Sequence, residues 1–131
     1  MRLQLLLRGI VCSGTGEGKY YMGLKHYLKE FEDKLGLAPY PGTLNLRLSS
    51  NEVGILEILK KAKAIVVKGF KEGEKYFGAV RCFRANMKGL NCWLIIPEKT
   101  RHKNIVEIIS GECLREKFKL KDGDEVDVEV C

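Results

Sequence analysis

Pro41, Gly42, Thr43, Leu44, Asn45 and Leu46 (P-G-T-L-N-L) read as a turn that runs into a β-strand ending near Leu48. Pro41 presets one backbone angle and Gly42 permits an unusual one. Side chains alternate along a strand, so Thr43 and Asn45 share one face while Leu44 and Leu46 line the other. A hydroxyl and a carboxamide thus stand side by side at the mouth of an apolar strand. Both are neutral oxygen donors, and a magnesium ion already held by phosphates needs only one or two such oxygens from protein. The polar outer face of an ordinary strand gives the same pattern, so the surrounding chain has to decide.

That chain has 131 residues, which points to a single domain over 1–131 with a modest but adequate core. Hydrophobic residues make up 45% and charged residues 31%, an ordinary globular balance. No apolar run is long enough to span a bilayer, so no membrane is expected. The start, Met1 to Gly9, has no signal-peptide layout. Five cysteines are widely spaced with neither C-x-x-C nor a zinc-spaced Cys/His pair, so no disulfide framework or metal knuckle is expected. The cytoplasm is the expected compartment. A net charge of +6 suits an anionic partner, either a nucleotide or a nucleic acid. Lys and Arg are spread along the chain instead of forming one basic block, which argues against nucleic acid.

Upstream of the opening stretch, Leu3 to Cys12 reads as the first strand, and S-G-T-G-E-G-K (Ser13 to Lys19) follows at once. Alternating Gly14, Gly16 and Gly18 free the backbone to turn its N–H groups towards one point, a nest that suits phosphate oxygens. Lys19 adds a point charge. The loop is not a Walker A motif, since Ser13 replaces its first Gly and Tyr20 its Ser/Thr; Lys19 likewise replaces the last Gly of the dinucleotide fingerprint. A flexible hairpin loop would have the same composition. Leu24, Leu28, Phe31 and Leu35, with Tyr27, predict an amphipathic helix from about Gly23 to Leu35, ended by Gly36. His26 reads as a solvated surface residue on that helix.

Downstream, Ser49 and Glu52 have capping-box spacing, which predicts a helix from about Ser50 to Ala62 with Ile55, Leu56, Leu59 and Ala62 inward. Ala64 to Lys68 reads as a short strand, Gly69 to Lys75 as a charged turn, and Phe77 to Met87 as one long strand. A hairpin connection at Lys88 to Asn91 returns through Cys92 to Ile96, and a polar loop follows over Pro97 to Asn104. In the strand Ile105 to Ile109, Glu107 shares a face with two isoleucines. A carboxylate there is costly unless paired, hydrogen-bonded or at a site; an edge strand with Glu107 facing water is the plainer alternative. Glu112 to Phe118 reads as a short helix, Asp122-Gly123 as a turn, and Glu125 to Val130 as a half-buried last strand. Strands outnumber helices without regular alternation, so a small barrel with flanking helices fits better than a layered α/β sheet.

Four stretches together resemble the archaeal-type CTP-dependent riboflavin kinases. They are S-G-T-G-E-G-K-Y (Ser13 to Tyr20), P-G-T-L-N-L (Pro41 to Leu46), P-E-K-T-R-H…V-E-I-I (Pro97 to Ile109) and L-R-E-K-F-K-L-K-D-G-D-E-V (Leu114 to Val126). Each is weak alone; the four in order are specific and cover nearly the whole chain. Thr15 and Lys19 occupy variable or basic positions of the glycine loop, and the segment before the Phe77 strand carries no matching motif. The chain is read as beginning at the kinase itself, without the DNA-binding domain that some relatives carry ahead of it.

The resemblance implies a mainly β fold, a cradle-loop β-barrel of about six strands with flanking α-helices. It implies transfer of the γ-phosphoryl of CTP to the 5′-hydroxyl of riboflavin, giving FMN and CDP. Gly14, Thr15, Gly16, Glu17, Gly18 and Lys19 would hold the CTP phosphates, and Cys113, Leu114, Arg115 and Glu116 would read the cytosine. Thr43 and Asn45 would hold Mg2+, the expected cofactor, which arrives largely with the nucleotide because neither ligand is charged. Thr100 and Glu107 would contact the flavin, with Glu107 as the catalytic carboxylate that orients the ribityl hydroxyl or takes its proton. His102 is a competing base. Riboflavin and CTP are the expected partners, and a monomer is expected because a barrel of this size can act alone. The competing readings are a non-catalytic nucleotide- or flavin-binding sensor and a small basic barrel that binds nucleic acid.

Overall fold

The computed structural model describes residues 5–13, 25–40, 42–98 and 104–131. Its elements in chain order are β1 (Leu5–Cys12), α1 (Lys25–Leu35), β2 (Leu44–Leu48), α2 (Val53–Lys61), β3 (Ile65–Val67), β4 (Phe70–Glu72), β5 (Lys75–Phe77), β6 (Val80–Met87), β7 (Leu90–Pro97), β8 (Ile105–Ile109), α3 (Leu114–Lys117) and β9 (Glu125–Val130).

Six antiparallel strands close on themselves in the order β6-β7-β8-β2-β1-β9, and the seam is the pairing of Ala85 with Val130 and Asn86 with Glu129. Closure removes the unpaired edges that an open sheet would present. It depends on the length of β6. The first half of that strand, Val80 to Cys82, carries β3 on the edge where its second half carries β9. The fold is therefore mainly β, a small barrel with flanking helices, as the strand-rich sequence predicts.

Alternation divides each strand between two environments. Leu7, Val11, Leu44, Leu46, Val106, Ile108, Val126 and Val128 point inward, and Leu56 and Leu59 of α2 and Leu114 of α3 join the same cluster. Gly9 lies between Leu7 and Val11 on the inward face, where an added Cβ would come within 2.8 Å of Leu46 Cβ. Outside the barrel, Tyr27 and Phe31 of α1 pack on Cys82, Trp93, Ile95 and Ile109. Tyr27 Oη donates to the Gly78 carbonyl at 2.7 Å and fixes the helix there. This second layer explains why Cys92 to Ile96 is buried on both faces of β7.

Gly36 ends α1 with a positive φ of 66°, as the sequence requires. The connection after β6 is tighter than expected. Lys88 and Gly89, at φ 51° and 84°, form a two-residue turn, so β7 begins at Leu90.

Three further expectations need correction. The capping box at Ser49 and Glu52 does not form. The Ser49 carbonyl accepts from the N–H groups of Glu52 and Val53, Glu52 makes no side-chain cap bond, and α2 starts only at Val53. The charged stretch 69–75 is not a simple turn but contributes to a hairpin, β4 with β5, turning at Gly73 (φ 63°). Phe70 and Phe77 stack across it with ring centroids 4.7 Å apart, and that contact orders an otherwise solvent-facing ribbon. The strand expected from Phe77 to Met87 is consequently two strands, broken at Gly78 and Ala79. His26 is exposed as expected, but its ring also rests on Phe70 at 4.0 Å between centroids. No helix among the described residues is long and apolar enough to cross a membrane, a statement that does not extend to β-strands.

Candidate active site

A row of outward-facing residues crosses the barrel wall and ends at Ile95, under α1. Cys12 on β1 lies opposite Asn45 on β2, Asn45 opposite Glu107 on β8, and Glu107 opposite Ile95 on β7. Glu107 is half-buried on an interior strand of the sheet, so the edge-strand alternative is excluded. Its carboxylate is held within the protein: Thr43 Oγ1 donates to Glu107 Oε1 at 3.0 Å. That bond offsets part of the cost of placing a carboxylate between Ile105 and Ile109. It also commits the Thr43 proton, leaving the hydroxyl lone pairs for another acceptor role. Thr43, Asn45 and Glu107 thus form one oxygen-rich cluster beside an apolar surface. Cys12 flanks it, and burial pushes its thiol up against the opposing pull of Arg47.

A second cluster lies at the end of β1. Arg115 on α3 directs Nη2 to Asp122 Oδ1 at 2.6 Å and to the Cys12 carbonyl at 3.1 Å. Ser13 Oγ donates to Asp122 Oδ2 at 2.6 Å. These bonds, that from Ser13 first, hold the Asp122 carboxyl below its ordinary range. Leu114 is buried in the barrel core, so only its main chain can face a ligand. The carbonyls of Cys113, Leu114, Arg115 and Glu116 already accept main-chain N–H bonds from Lys117, Phe118, Leu120 and Lys119 respectively. Each of these carbonyls keeps a second lone pair, so they and the Glu116 carboxylate all remain available as acceptors. Tyr40 approaches the same segment. The neighbouring Cys113 side chain and, after it, the Glu116 carboxylate push the pKa of its phenol up.

The family model for CTP-dependent riboflavin kinases, described as "Domain of unknown function DUF120", matches residues 11–130. The chain belongs to the CTP-dependent riboflavin kinase family. Proteins named riboflavin kinase are similar to it in several archaea. The one from Thermoplasma volcanium is 42% identical over 130 residues, which is 99% of this chain and 59% of the relative. That from Archaeoglobus fulgidus is 43% identical over 125 residues, 95% of this chain and 54% of the relative. For the protein from Ignicoccus hospitalis the identity is 45% over 125 residues, 95% of this chain and 70% of the relative. The chain spans little more than half the length of the first two.

Of the residues expected to serve a kinase of this family, the structure brings Thr43, Asn45 and Glu107 into one cluster and places Cys113 to Glu116 at α3. Gly14, Thr15, Gly16, Glu17, Gly18, Lys19, Thr100 and His102 lie outside the described residues. Sequence reasoning missed Asp122 and Tyr40. Asp122 was legible only as a turn former beside Gly123, and Tyr40 had no signal beyond being an aromatic residue between two prolines.

Among the described residues no three His, Cys, Asp or Glu side chains form a group able to hold a metal unaided. The hydroxyl of Thr43 and the carboxamide of Asn45 nevertheless suit Mg2+ as hard oxygen donors. An ion carried in on phosphates requires no complete protein cage.

Proposed function

We propose that this chain transfers the γ-phosphoryl group of CTP to the ribityl 5′-hydroxyl of riboflavin, giving FMN and CDP, and that residues 1–131 act as one kinase domain. The observation that carries the reading is the Thr43–Glu107 hydrogen bond, which ties a hydroxyl to a carboxylate beside Asn45, the residue opposite Glu107 in the β2–β8 register. Family membership and relatives named riboflavin kinase support the flavin as acceptor. The donor nucleotide is supported by the family's name.

Phosphoryl transfer requires charge neutralisation, in-line positioning and exclusion of competing water. Main-chain N–H groups of Gly14 to Gly18 and the Lys19 ammonium would bind the CTP phosphates. Thr43 and Asn45 would hold Mg2+, which when bound supplies neutralisation of phosphate charge. Glu107 would accept a hydrogen bond from the riboflavin hydroxyl and so aim its oxygen, with Thr43 fixing the carboxylate. Thr100 would contact the flavin. Arg115 and Glu116 would face the nucleotide base. Cytosine differs from uracil by its exocyclic amine, so an acceptor such as the Glu116 carboxylate would favour CTP over UTP.

Purified protein incubated with riboflavin, magnesium and each of the four ribonucleoside triphosphates in separate tubes tests this directly. FMN resolved by chromatography should form chiefly with CTP. FMN formed with ATP in preference would retain the kinase and overturn the assignment of α3. No FMN with any donor would overturn the reaction.

A further inference from the structure

The turn between α3 and β9 reaches back to the opposite end of the chain. We propose that Asp122 is a positioning residue that clamps the start of the glycine-rich loop to helix α3 and so sets the spacing between the phosphate-binding and base-reading parts of the nucleotide site. The inference rests on the function proposed above.

Asp122 is delivered by a well-tied turn. Val11 N–H donates to the Asp124 carbonyl at 2.8 Å, Gly123 N–H donates to the Val11 carbonyl at 2.8 Å, and Lys121 N–H donates to Asp124 Oδ2 at 2.7 Å. From this base one carboxylate oxygen takes the Ser13 hydroxyl and the other takes the Arg115 guanidinium, both at 2.6 Å. Arg115 closes the triangle through the Cys12 carbonyl at 3.1 Å. The clamped residues have different roles. Ser13 directly precedes Gly14, the first residue of the stretch proposed above to bind the CTP phosphates. Arg115 belongs to the stretch that faces the base.

Stability does not account for this arrangement. The Arg115 and Asp122 side chains are 36% and 54% exposed, and ion pairs of that kind contribute little to folding. What the bonds do is fix the relative position of two ligand-binding segments before the ligand arrives. Preorganisation of that kind raises affinity for a ligand spanning both segments and leaves affinity for a ligand touching one nearly unchanged.

The test follows from that difference. CDP, cytidine and riboflavin are titrated by calorimetry, with magnesium present, into wild type, Asp122→Ala and Asp122→Asn. CDP affinity should weaken about tenfold in Asp122→Ala while cytidine and riboflavin affinities change less than about twofold, so the preference for CDP over cytidine collapses. Asp122→Asn should lie between, because its amide oxygen still accepts from Ser13 but offers Arg115 no charge. An unchanged CDP-to-cytidine ratio in either variant, or equal weakening for both ligands, overturns the clamp; Asp122→Asn keeps the test valid should Asp122→Ala fold poorly. Wild-type protein that binds CDP while the variants bind it equally well sinks this inference alone. Wild-type protein that neither binds CDP nor forms FMN removes the function and the inference together.

Discussion

Thr43 Oγ1 lies 3.0 Å from Glu107 Oε1, joining residues 64 positions apart in the chain. The bond makes the two best-placed oxygen groups on the β2–β8 face depend on each other. Thr43→Val keeps the volume but removes the donor. A half-buried carboxylate short of one bond should cost about 1 kcal/mol of stability, read from urea denaturation. Turnover should fall more than stability does, by about tenfold or more in kcat/KM for riboflavin. Thr43→Ser, which keeps the hydroxyl, should recover most of both; equal loss in Ser and Val variants would contradict the role of the bond.

Asn45 lies opposite Glu107 in the β2–β8 register and opposite Cys12 in the β1–β2 register. Asn45→Ala should shift the magnesium concentration for half-maximal turnover upward by about tenfold, with the maximum rate less affected. Full activity across the whole magnesium titration would show that the carboxamide holds no metal.

Gly9 has no room for a side chain, since a Cβ would come within 2.8 Å of Leu46 Cβ inside the barrel. Gly9→Ala should therefore cost about 1–3 kcal/mol and lower the melting temperature. The complementary change Leu46→Gly removes that Cβ and is destabilising alone; combined with Gly9→Ala it should cost less than the two singles summed. Strict additivity in thermal unfolding would argue that the two positions do not compete for space.

The cysteines should separate by burial. Cys131 is exposed, whereas burial pushes the thiols of Cys82 and Cys92 up to about 12. At pH 8 a thiol reagent should modify Cys131 first and reach Cys82 and Cys92 only on unfolding. The sign for stability follows. Both folded pKa values lie above the unfolded one, so the contribution is complete below about pH 9 and declines as pH rises towards 12. Denaturant midpoints measured from pH 8 to 11 should fall, and should fall less in Cys82→Ala. A flat profile would mean the thiols ionise equally in both states.

Local pattern made part of this protein legible. Ile105–Ile109 and Glu125–Val130 form strands with the bounds their composition implies. The face shared by Thr43 and Asn45 follows from period-two alternation, which needs no partner to hold. Elsewhere the local signal misled. The hairpin at 70–77 reads as a charged turn because its order comes from the Phe70–Phe77 stack and the cover of α1, neither of which is visible in the charged residues between them. The Ser49–Glu52 spacing suits a capping box, yet the chain leaving β2 uses the Ser49 carbonyl instead.

By itself, then, the sequence determined the strand-rich character, the alternation that separates barrel interior from outer face, and the family motifs that name candidate residues. Those properties depend on neighbours a few positions apart, where backbone geometry dictates direction. Tertiary structure alone decided that β6 returns to β9 to close the barrel, that the Glu107 carboxylate is held by Thr43, and that Asp122 grips Ser13 from 109 residues away. Contacts of that kind require closure of long loops, whose cost is recovered only when the whole core packs at once, so no local window of residues encodes them.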